Sequence, residues 1–508
     1  MKIAMIGQKR IPSREGGIEI VVEELATRMV ELGHQVDCYT RDDDRNVKLP
    51  TEFKGIRLIR IPTPKSSTLN AFVYSVLATI RALFGHYDVI HFHAEGPSAM
   101  TWLAKFFHLP IVTTIHGLDW QRAKWGGFAS AYLKLGEKNA TVFSDDVIVL
   151  SRAMQLYFRE TYDRETIYLR NGVSVLKHVD PDLITQKWGL TRESYILFLA
   201  RIVPEKGLHY LIEAYRRIDT DKKLVIAGGL GETEYVHKIR EMAAQDDRII
   251  LTDFVGGRVR EELMGNCALY VLPSDVEGMP ISLLEALSFG VRCLVSDISE
   301  NEEASGIYAN YFSKSNVDDL EKQLRNVLES KNDFNRAKQI EFVTQEYGWD
   351  QVVEETIHIY EIAKKQNMRF GFALRGQRIR RRRKQILLRI EELEQSRRRS
   401  EASIFNSLMQ KLPLDNEDVQ QFNRQSSEIE ILREELRQLD DQYAKGYSFY
   451  VGDSKAENAN IIKVPTSAEL QGTDVLHAFH SSADSSAAEN GTKDSAEGAS
   501  GRGKEGSC

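Results

Sequence analysis

The sequence predicts an α/β protein: two doubly wound domains in tandem, then a helical hairpin and a polar tail. Three observations carry this. Short apolar runs alternate with amphipathic segments to about residue 170, and the alternation restarts near residue 193. Such alternation marks parallel sheets covered on both faces. Beyond Asn367 the apolar spacing changes to that of a coiled-coil seam, and from about Gly452 apolar residues become sparse. At 508 residues the chain is also too long for one core.

The first domain is expected over residues 1–170. Its strand-like runs are Lys2–Ile6, Gln35–Thr40, Ile56–Ile61, Asp88–Phe92, Ile111–Ile115, Asp146–Leu150 and Ile167–Leu169, with helices between them such as Glu19–Leu32 and Ser98–Phe107. A connecting segment, 171–192, leads to a second domain over 193–348. Its expected strands are Tyr195–Leu199, Lys223–Ala227, Ile249–Thr252, Leu269–Leu272 and Arg292–Ser296. Helices are expected at Leu208–Arg217, Glu234–Ala244, Glu261–Asn266, Pro280–Leu287 and Val317–Glu329. A further helix, Trp349–Ala363 within segment 349–366, is expected to cross back toward the first domain.

Segment 367–450 opens on a polybasic run, Arg378 to Lys384, and carries Ile386, Ile390 and Leu393. Pro413 breaks the helix, and Asp415 or Asn416 can cap the next one. Ile429, Leu432, Leu436 and Leu439 then repeat at the 3-4-3 spacing of a coiled-coil seam. Closure of a hairpin and dimerisation through this seam both fit. Residues 451–508 are Ser-, Ala-, Gly- and Glu-rich and are expected to be disordered.

The net charge of −7 gives no global pull toward nucleic acid, so none is expected as a partner. The four cysteines show no CxxC spacing, which points to a reduced, cytoplasmic protein without a disulfide framework or zinc site. "MKIAMIG" reads as a buried strand rather than a signal peptide. The apolar stretch from Leu69 contains Arg81 and is too short to span a bilayer.

Four stretches carry candidate chemistry. In "SDVEGMPISLLEAL" (Ser274 to Leu287) a Gly and a Pro sit at a strand–helix seam between Glu277 and Glu285. Pro280 fits a first helical turn, and Gly278 lets a backbone approach a ligand. Free N–H groups at that helix start favour an anion. Glu277 sits just before the helix and Glu285 lies roughly 8 Å along its axis at ~1.5 Å per residue, so the two carboxylates could accept hydrogen bonds from hydroxyls at both ends of one ligand. In "LFLARIVPEKGL", Arg201 and Lys206 flank the turn after the second domain's first strand, where two cations could neutralise a diphosphate. In "SREGGIEIVV", Gly16 and Gly17 open a helix as a close-approach loop, without the dinucleotide GxGxxG pattern. In "TTIHGLDWQRAKWGG", His116 ends a buried strand beside Gly117, Asp119, Trp120 and Arg122. A surface carboxylate, a surface cation pair, a plain tight turn and a structural histidine are the competing readings of these four. "HFHAEG" places His91 and His93 on one strand face with no third ligand, so no metal is expected. "DDD" at Asp42–Asp44 reads as a solvated loop.

Taken together, these stretches resemble the retaining glycosyltransferases of family 4, which have the GT-B fold. The resemblance covers roughly residues 1–365. It rests on "GGIE" (Gly16 to Glu19), His116, "RNGV" (Arg170 to Val173), "ARIVPEKG", "GGLGE", "FVG" (Phe254 to Gly256) and "EGMPISLLEA". "IGQKRIPSREGGIE" and "HGLDWQRAKWG" look most like a bacterial polysaccharide rhamnosyltransferase-like subgroup acting on lipid-linked repeat units. The resemblance implies a nucleotide-diphosphate sugar as co-substrate, no metal or other cofactor, and a glycan or lipid-linked glycan as acceptor. It implies that Arg201 and Lys206 bind the diphosphate, Glu285 the ribose hydroxyls and Glu277 the donor sugar. Gly278 and Met279 would face the sugar and Val255 the base. His116 and the Gly16–Gly17 loop would line the reacting centre. "EGMP" departs from relatives that carry Phe and Gly after this Glu-Gly, which leaves the donor sugar open. For the polybasic run Arg378–Lys384, contact with an anionic membrane surface, a solvated face and a partner contact all fit; the first would place the protein peripherally at the inner face of the membrane. Two other activities fit the same residues: a sugar-nucleotide epimerase, and an inactive scaffold acting through the coiled coil.

Overall fold

The structure, a computed structural model, describes residues 1–13, 16–43, 50–65, 67–121, 127–174, 179–330, 335–409 and 416–448. The expected tail, 451–508, lies outside them, as do Asp44 and Arg122.

The first sheet comprises β1 (Lys2–Ile6), β2 (Gln35–Asp42), β3 (Glu52–Phe53), β4 (Ile56–Pro62), β5 (Val89–His93), β6 (Ile111–Ile115), β7 (Asp146–Val149) and β8 (Ile167–Tyr168). Their spatial order is β3-β4-β2-β1-β5-β6-β7-β8, parallel except for the short β3–β4 pair. The second sheet comprises β9 (Tyr195–Leu199), β10 (Lys223–Ala227), β11 (Ile249–Asp253), β12 (Leu269–Leu272), β13 (Cys293–Ser296) and β14 (Asn310–Phe312), in the all-parallel order β11-β10-β9-β12-β13-β14. Strands such as Ile3–Ile6 and Ile196–Phe198 are wholly buried, as a sheet covered on both faces requires. β3 and β14 were not expected. With two and three residues, neither carries enough periodicity to be read.

In each sheet the strand order reverses at one point, between β1 and β5 and between β9 and β12. Ligand crevices form where loops diverge at such switch points. Here the loops that diverge carry Gly16 and Gly17 after β1, Arg201 and Lys206 after β9, and Glu277 after β12.

The helix Trp349–Gln366 packs on the first domain: Trp349, Val353, Ile359 and Tyr360 join Val22, Leu25 and Met29 in one core. Lys364 Nζ holds Asp88 at 2.6 Å across the same contact.

The C-terminal helices Phe370–Met409 and Asn416–Ser448 pack side by side. Ile386, Ile390 and Leu393 close on Ile429, Leu432, Leu436 and Leu439, so the seam read in the sequence is filled within the chain. Arg382–Glu435 at 2.6 Å and Arg389–Glu428 at 3.0 Å brace its rim. Half of the polybasic run, Arg380, Arg383 and Lys384, is consumed in docking this pair. Arg380 is buried and donates to the Thr141 carbonyl, and Lys384 donates to the Glu160 carbonyl at 2.7 Å. Those carbonyls lie in the last turns of helices Gly127–Phe143 and Arg152–Tyr162, where the helix dipole favours cations. Arg383 pairs with Asp163. Arg378, Arg381 and Arg382 remain exposed, the last paired with Glu435. No helix among the described residues is long and apolar enough to cross a membrane.

Candidate active site

The cleft is assembled from loops at the C-terminal ends of strands in both sheets. Glycines set how closely the loops approach. Gly207, at φ +64°, turns the chain after Lys206; a Cβ there would lie 1.9 Å from the Pro273 carbonyl oxygen. The loop after β9 is thereby pressed against the loop after β12. That contact carries Lys206 to Glu277, and the two form an ion pair with side chains 13% and 7% exposed. Glu285, on the helix Ile281–Ser288, pairs with Arg260, on the helix Gly257–Asn266. Arg201 is exposed, and its guanidinium has no partner among the described residues. Val255 is half-buried in the loop after β11, against the second-domain core.

Pro280 caps the helix from outside rather than occupying its first turn: its carbonyl accepts from Leu283 and Leu284 N–H at 3.0 and 3.2 Å. The N–H groups of Ile281 and Ser282 precede the first intrahelical bond.

The first domain meets this wall directly. A Cβ on Gly278 would fall 1.7 Å from the His116 carbonyl oxygen, and one on Gly17 would fall 3.4 Å from Ile281 Cδ1. Met279 Sδ accepts the Asn171 N–H at 3.0 Å. The glycine loop is braced from below, because the buried Glu19 carboxylate accepts the Lys9 N–H at 2.9 Å.

Behind His116 lies a buried histidine row. His93 Nδ1 is 3.1 Å from His116 Nε2, and the His91 and His93 rings stack at 3.9 Å. His91 contacts Tyr360 Oη at 2.6 Å and Thr114 Oγ1 at 2.7 Å. Burial pushes His91 down to about 3 and His93 well below the usual imidazole range, so both rings are neutral. His93 Nε2 is buried without a partner. The single proton of His93 therefore belongs on Nδ1, donated to His116 Nε2. The "HFH" pattern thus orients His116; among the described residues no His, Cys, Asp and Glu side chains cluster as a metal site.

The structure therefore brings Lys206 to Glu277, and Gly17 and His116 to the Gly278–Glu285 wall, while Gly16 packs on Glu19 of its own helix. It leaves Arg201 and Val255 on the rim. Three residues escaped the sequence reading. Arg260 comes from a helix outside every recognised stretch. His93 was read only as half of a metal question. Glu300, after β13, has its carboxyl pushed up to about 6 by burial, with the Glu277 and Glu303 charges adding to the effect. Arg260 and Glu300 had no local sequence signal, and the "HFH" pattern did not report what His93 faces.

Residues 15–175 match the family described as Glycosyltransferase Family 4, and residues 181–342 match Glycosyl transferases group 1. This chain belongs to the family 4 glycosyltransferases. The transferase is 27% identical over 403 residues to an uncharacterized glycosyltransferase, MJ1607, of Methanocaldococcus jannaschii, covering 72% of this chain and 98% of that protein. It is 23% identical to the alpha-maltose-1-phosphate synthase of Mycolicibacterium smegmatis, covering 71% of this chain and 99% of that one. Among solved structures, sucrose-phosphate synthase from Thermosynechococcus elongatus superimposes with a TM-score of 0.62 at 19% identity, covering 71% of this chain and 98% of the other. HepE from Anabaena, solved with UDP and glucose, gives 0.60 at 18%, covering 71% and 99%. These structures confirm the GT-B fold, two Rossmann-like parallel sheets facing one cleft. Both family matches end before the C-terminal helical pair.

Proposed function

We propose that this transferase moves a hexose or deoxyhexose from a nucleotide-diphosphate sugar to a glycan or lipid-linked glycan, retaining the anomeric configuration. The observation that carries the reading is the meeting of Lys206, Glu277 and Gly278 with His116 where the two switch points face each other. When the bond from the sugar's anomeric carbon to the diphosphate breaks, negative charge develops on the leaving oxygen. Arg201, Lys206 and the N–H groups at the start of the helix Ile281–Ser288 stand where such charge can be neutralised. Glu277 accepts hydrogen bonds from the sugar hydroxyls. Glu285, held by Arg260, accepts from the ribose, and Val255 lies beside the base. Gly278 and Met279 leave room for the sugar against His116 and the Gly16–Gly17 loop. HepE, whose structures include one with UDP-glucose, supports a nucleotide-hexose donor. Rhamnose is favoured by the resemblance of "IGQKRIPSREGGIE".

A panel of UDP-, GDP-, ADP- and dTDP-sugars, read by thermal stabilisation and by donor hydrolysis, tests the reading. One donor class should stabilise the protein. Lys206→Ala and Glu285→Ala should abolish transfer in protein that still unfolds cooperatively, even where the lost ion pair lowers the melting midpoint. Full activity in both variants would overturn the site. Isomerisation of the donor without acceptor would indicate an epimerase instead.

A further inference from the structure

Two helices of the first domain are built inside out. The helix Ser67–Leu83 buries Asn70, Ser75 and Thr79 beside Tyr74, Ala78 and Ala82. Its outward side presents Leu69, Phe72, Leu77 and Ile80, and Phe84 follows it at 77% exposure. Positions 69, 72, 76, 80 and 84 repeat every three or four residues, so they form one stripe along the helix. The helix Thr101–Phe106 repeats the inversion. It buries Thr101 and Lys105, whose ammonium holds Asp145 at 2.6 Å, and exposes Trp102 and Phe106, with Phe107 just beyond. An ordinary surface helix does the reverse, because apolar area left in water costs roughly 25 cal/mol per Å².

The two stripes belong to one surface. Tyr74, Ala78, Ala82 and Ala104 pack into one core on the same face of the first sheet, and the two helices touch. Their outer sides therefore look outward together. The surface extends to the helix Gly127–Phe143, where the Phe72 ring meets Tyr132 at 5.5 Å, and to Phe370, which meets Phe106 at 5.7 Å. It holds eight of the seventeen large apolar side chains that are exposed among the described residues. Patches of that kind mark interaction sites.

The charge pattern identifies the partner. No Asp or Glu occurs between Lys65 and Tyr87, or between Gly96 and Leu118. Lys65, Arg81, Lys134 and Arg369 are all exposed on or beside these helices. Protein interfaces are depleted in lysine. Aromatic and aliphatic side chains beside exposed cations, in stretches without Asp or Glu, match the headgroup region of an anionic bilayer.

We propose that this face, rather than the polybasic run Arg378–Lys384, docks the protein on an anionic lipid surface, with Phe84, Phe106 and Phe107 entering the headgroup–acyl boundary. The proposal does not depend on which sugar is transferred, and it can be tested without turnover.

The test is co-sedimentation of the full chain with phosphatidylcholine vesicles, with and without phosphatidylglycerol. The full chain should bind the anionic vesicles more tightly. Phe84→Gln/Phe106→Gln/Phe107→Gln should lose at least about ten-fold in partitioning. The separate pair Leu77→Gln/Ile80→Gln should also lose binding, and both variants should keep the parent melting midpoint. Arg378→Gln/Arg381→Gln should change partitioning less than about three-fold; were that run the anchor, losing two cations would cost about 30-fold. Failure of the full chain to bind either vesicle would overturn the proposal. So would parent-like binding by the triple variant, or a dimer of the parent that the triple variant converts to monomer.

Discussion

Gly278→Ala tests whether the closed cleft is the working state. The added Cβ would sit 1.7 Å from the His116 carbonyl oxygen and 2.7 Å from its carbon, whereas ordinary van der Waals contact begins at 3.4 Å. The shortfall is 1.7 Å against backbone, which cannot rotate away. The clash lies between the two domains, so it can be relieved by parting them without disturbing either core. Folding stability should therefore change by less than about 1 kcal/mol, below the usual cost of overpacking a core. Misplacing the reacting groups by an ångström or more costs on the order of 100-fold in rate, about 2.7 kcal/mol of barrier at 1.36 kcal/mol per decade. The expected result is a ~100-fold fall in kcat/KM for sugar transfer, with a melting midpoint near that of the parent and donor binding largely kept, because the donor groups lie within the second domain. Activity within a few-fold of the parent would refute the argument, since the domains would then react without the contact seen at Gly278. A large fall in melting midpoint would refute it differently, by showing that the contact is needed for folding.

Gly207→Ala poses the same steric problem inside one domain, 1.9 Å from Pro273 O and at φ +64°; opening cannot relieve it, so it should destabilise the fold by about 2 kcal/mol or more in denaturant titration. Arg260→Ala leaves the Glu285 carboxylate without the cation that pairs with it, and should raise the donor KM at least ten-fold while altering hydrolysis kcat much less. Glu300 binds its proton more tightly folded than unfolded, at about 6 against 4.5. Its contribution is thus present below pH 4.5 and lost as pH rises through about 6. Glu300→Gln should therefore gain stability relative to the parent by about 2 kcal/mol between pH 4.5 and 7.5, and a pH-independent difference in melting midpoint would contradict this.

The doubly wound architecture was legible because buried parallel strands are short, apolar and evenly punctuated, and "KIAMI" and "YILFL" each sit where the pattern placed them. The facing of the two switch points was not legible. It depends on glycines whose neighbours are distant in sequence: Gly278 meets His116, and Gly17 meets Ile281. Arg260 was invisible for the same reason; its partner Glu285 is 25 residues away on a different helix. The polybasic run looked like a surface because charge runs usually are one. It became a dock because carbonyls at two helix ends stand opposite Arg380 and Lys384, and no local sequence pattern reports that. The inverted helices were legible only in part. Leu69 to Phe84 read as an apolar helix, but which side of it faced water needed the sheet beneath.

If the donor binds as proposed, the ion pairs in the cleft set the order in which its diphosphate engages. Lys206 is already committed to Glu277, and both side chains are nearly buried. Arg201 is exposed and uncommitted. On the proposed reading, an incoming diphosphate meets Arg201 first, and gains Lys206 only as Glu277 exchanges that ammonium for the sugar's hydroxyls. The exchange keeps every charge compensated, which matters because stripping one partner from a buried pair costs about 3–5 kcal/mol. Lys206→Ala would breach that rule twice, removing a phosphate partner and leaving Glu277 as an unpaired carboxylate facing the diphosphate. Lys206→Ala/Glu277→Gln removes the repulsion as well. It should bind a nucleoside diphosphate, the donor without its sugar, at least ten-fold more tightly than Lys206→Ala alone in calorimetric titration, although neither variant should transfer sugar. Equal affinities would mean that Glu277 does not face the diphosphate and that the pair is only a brace between the two loops.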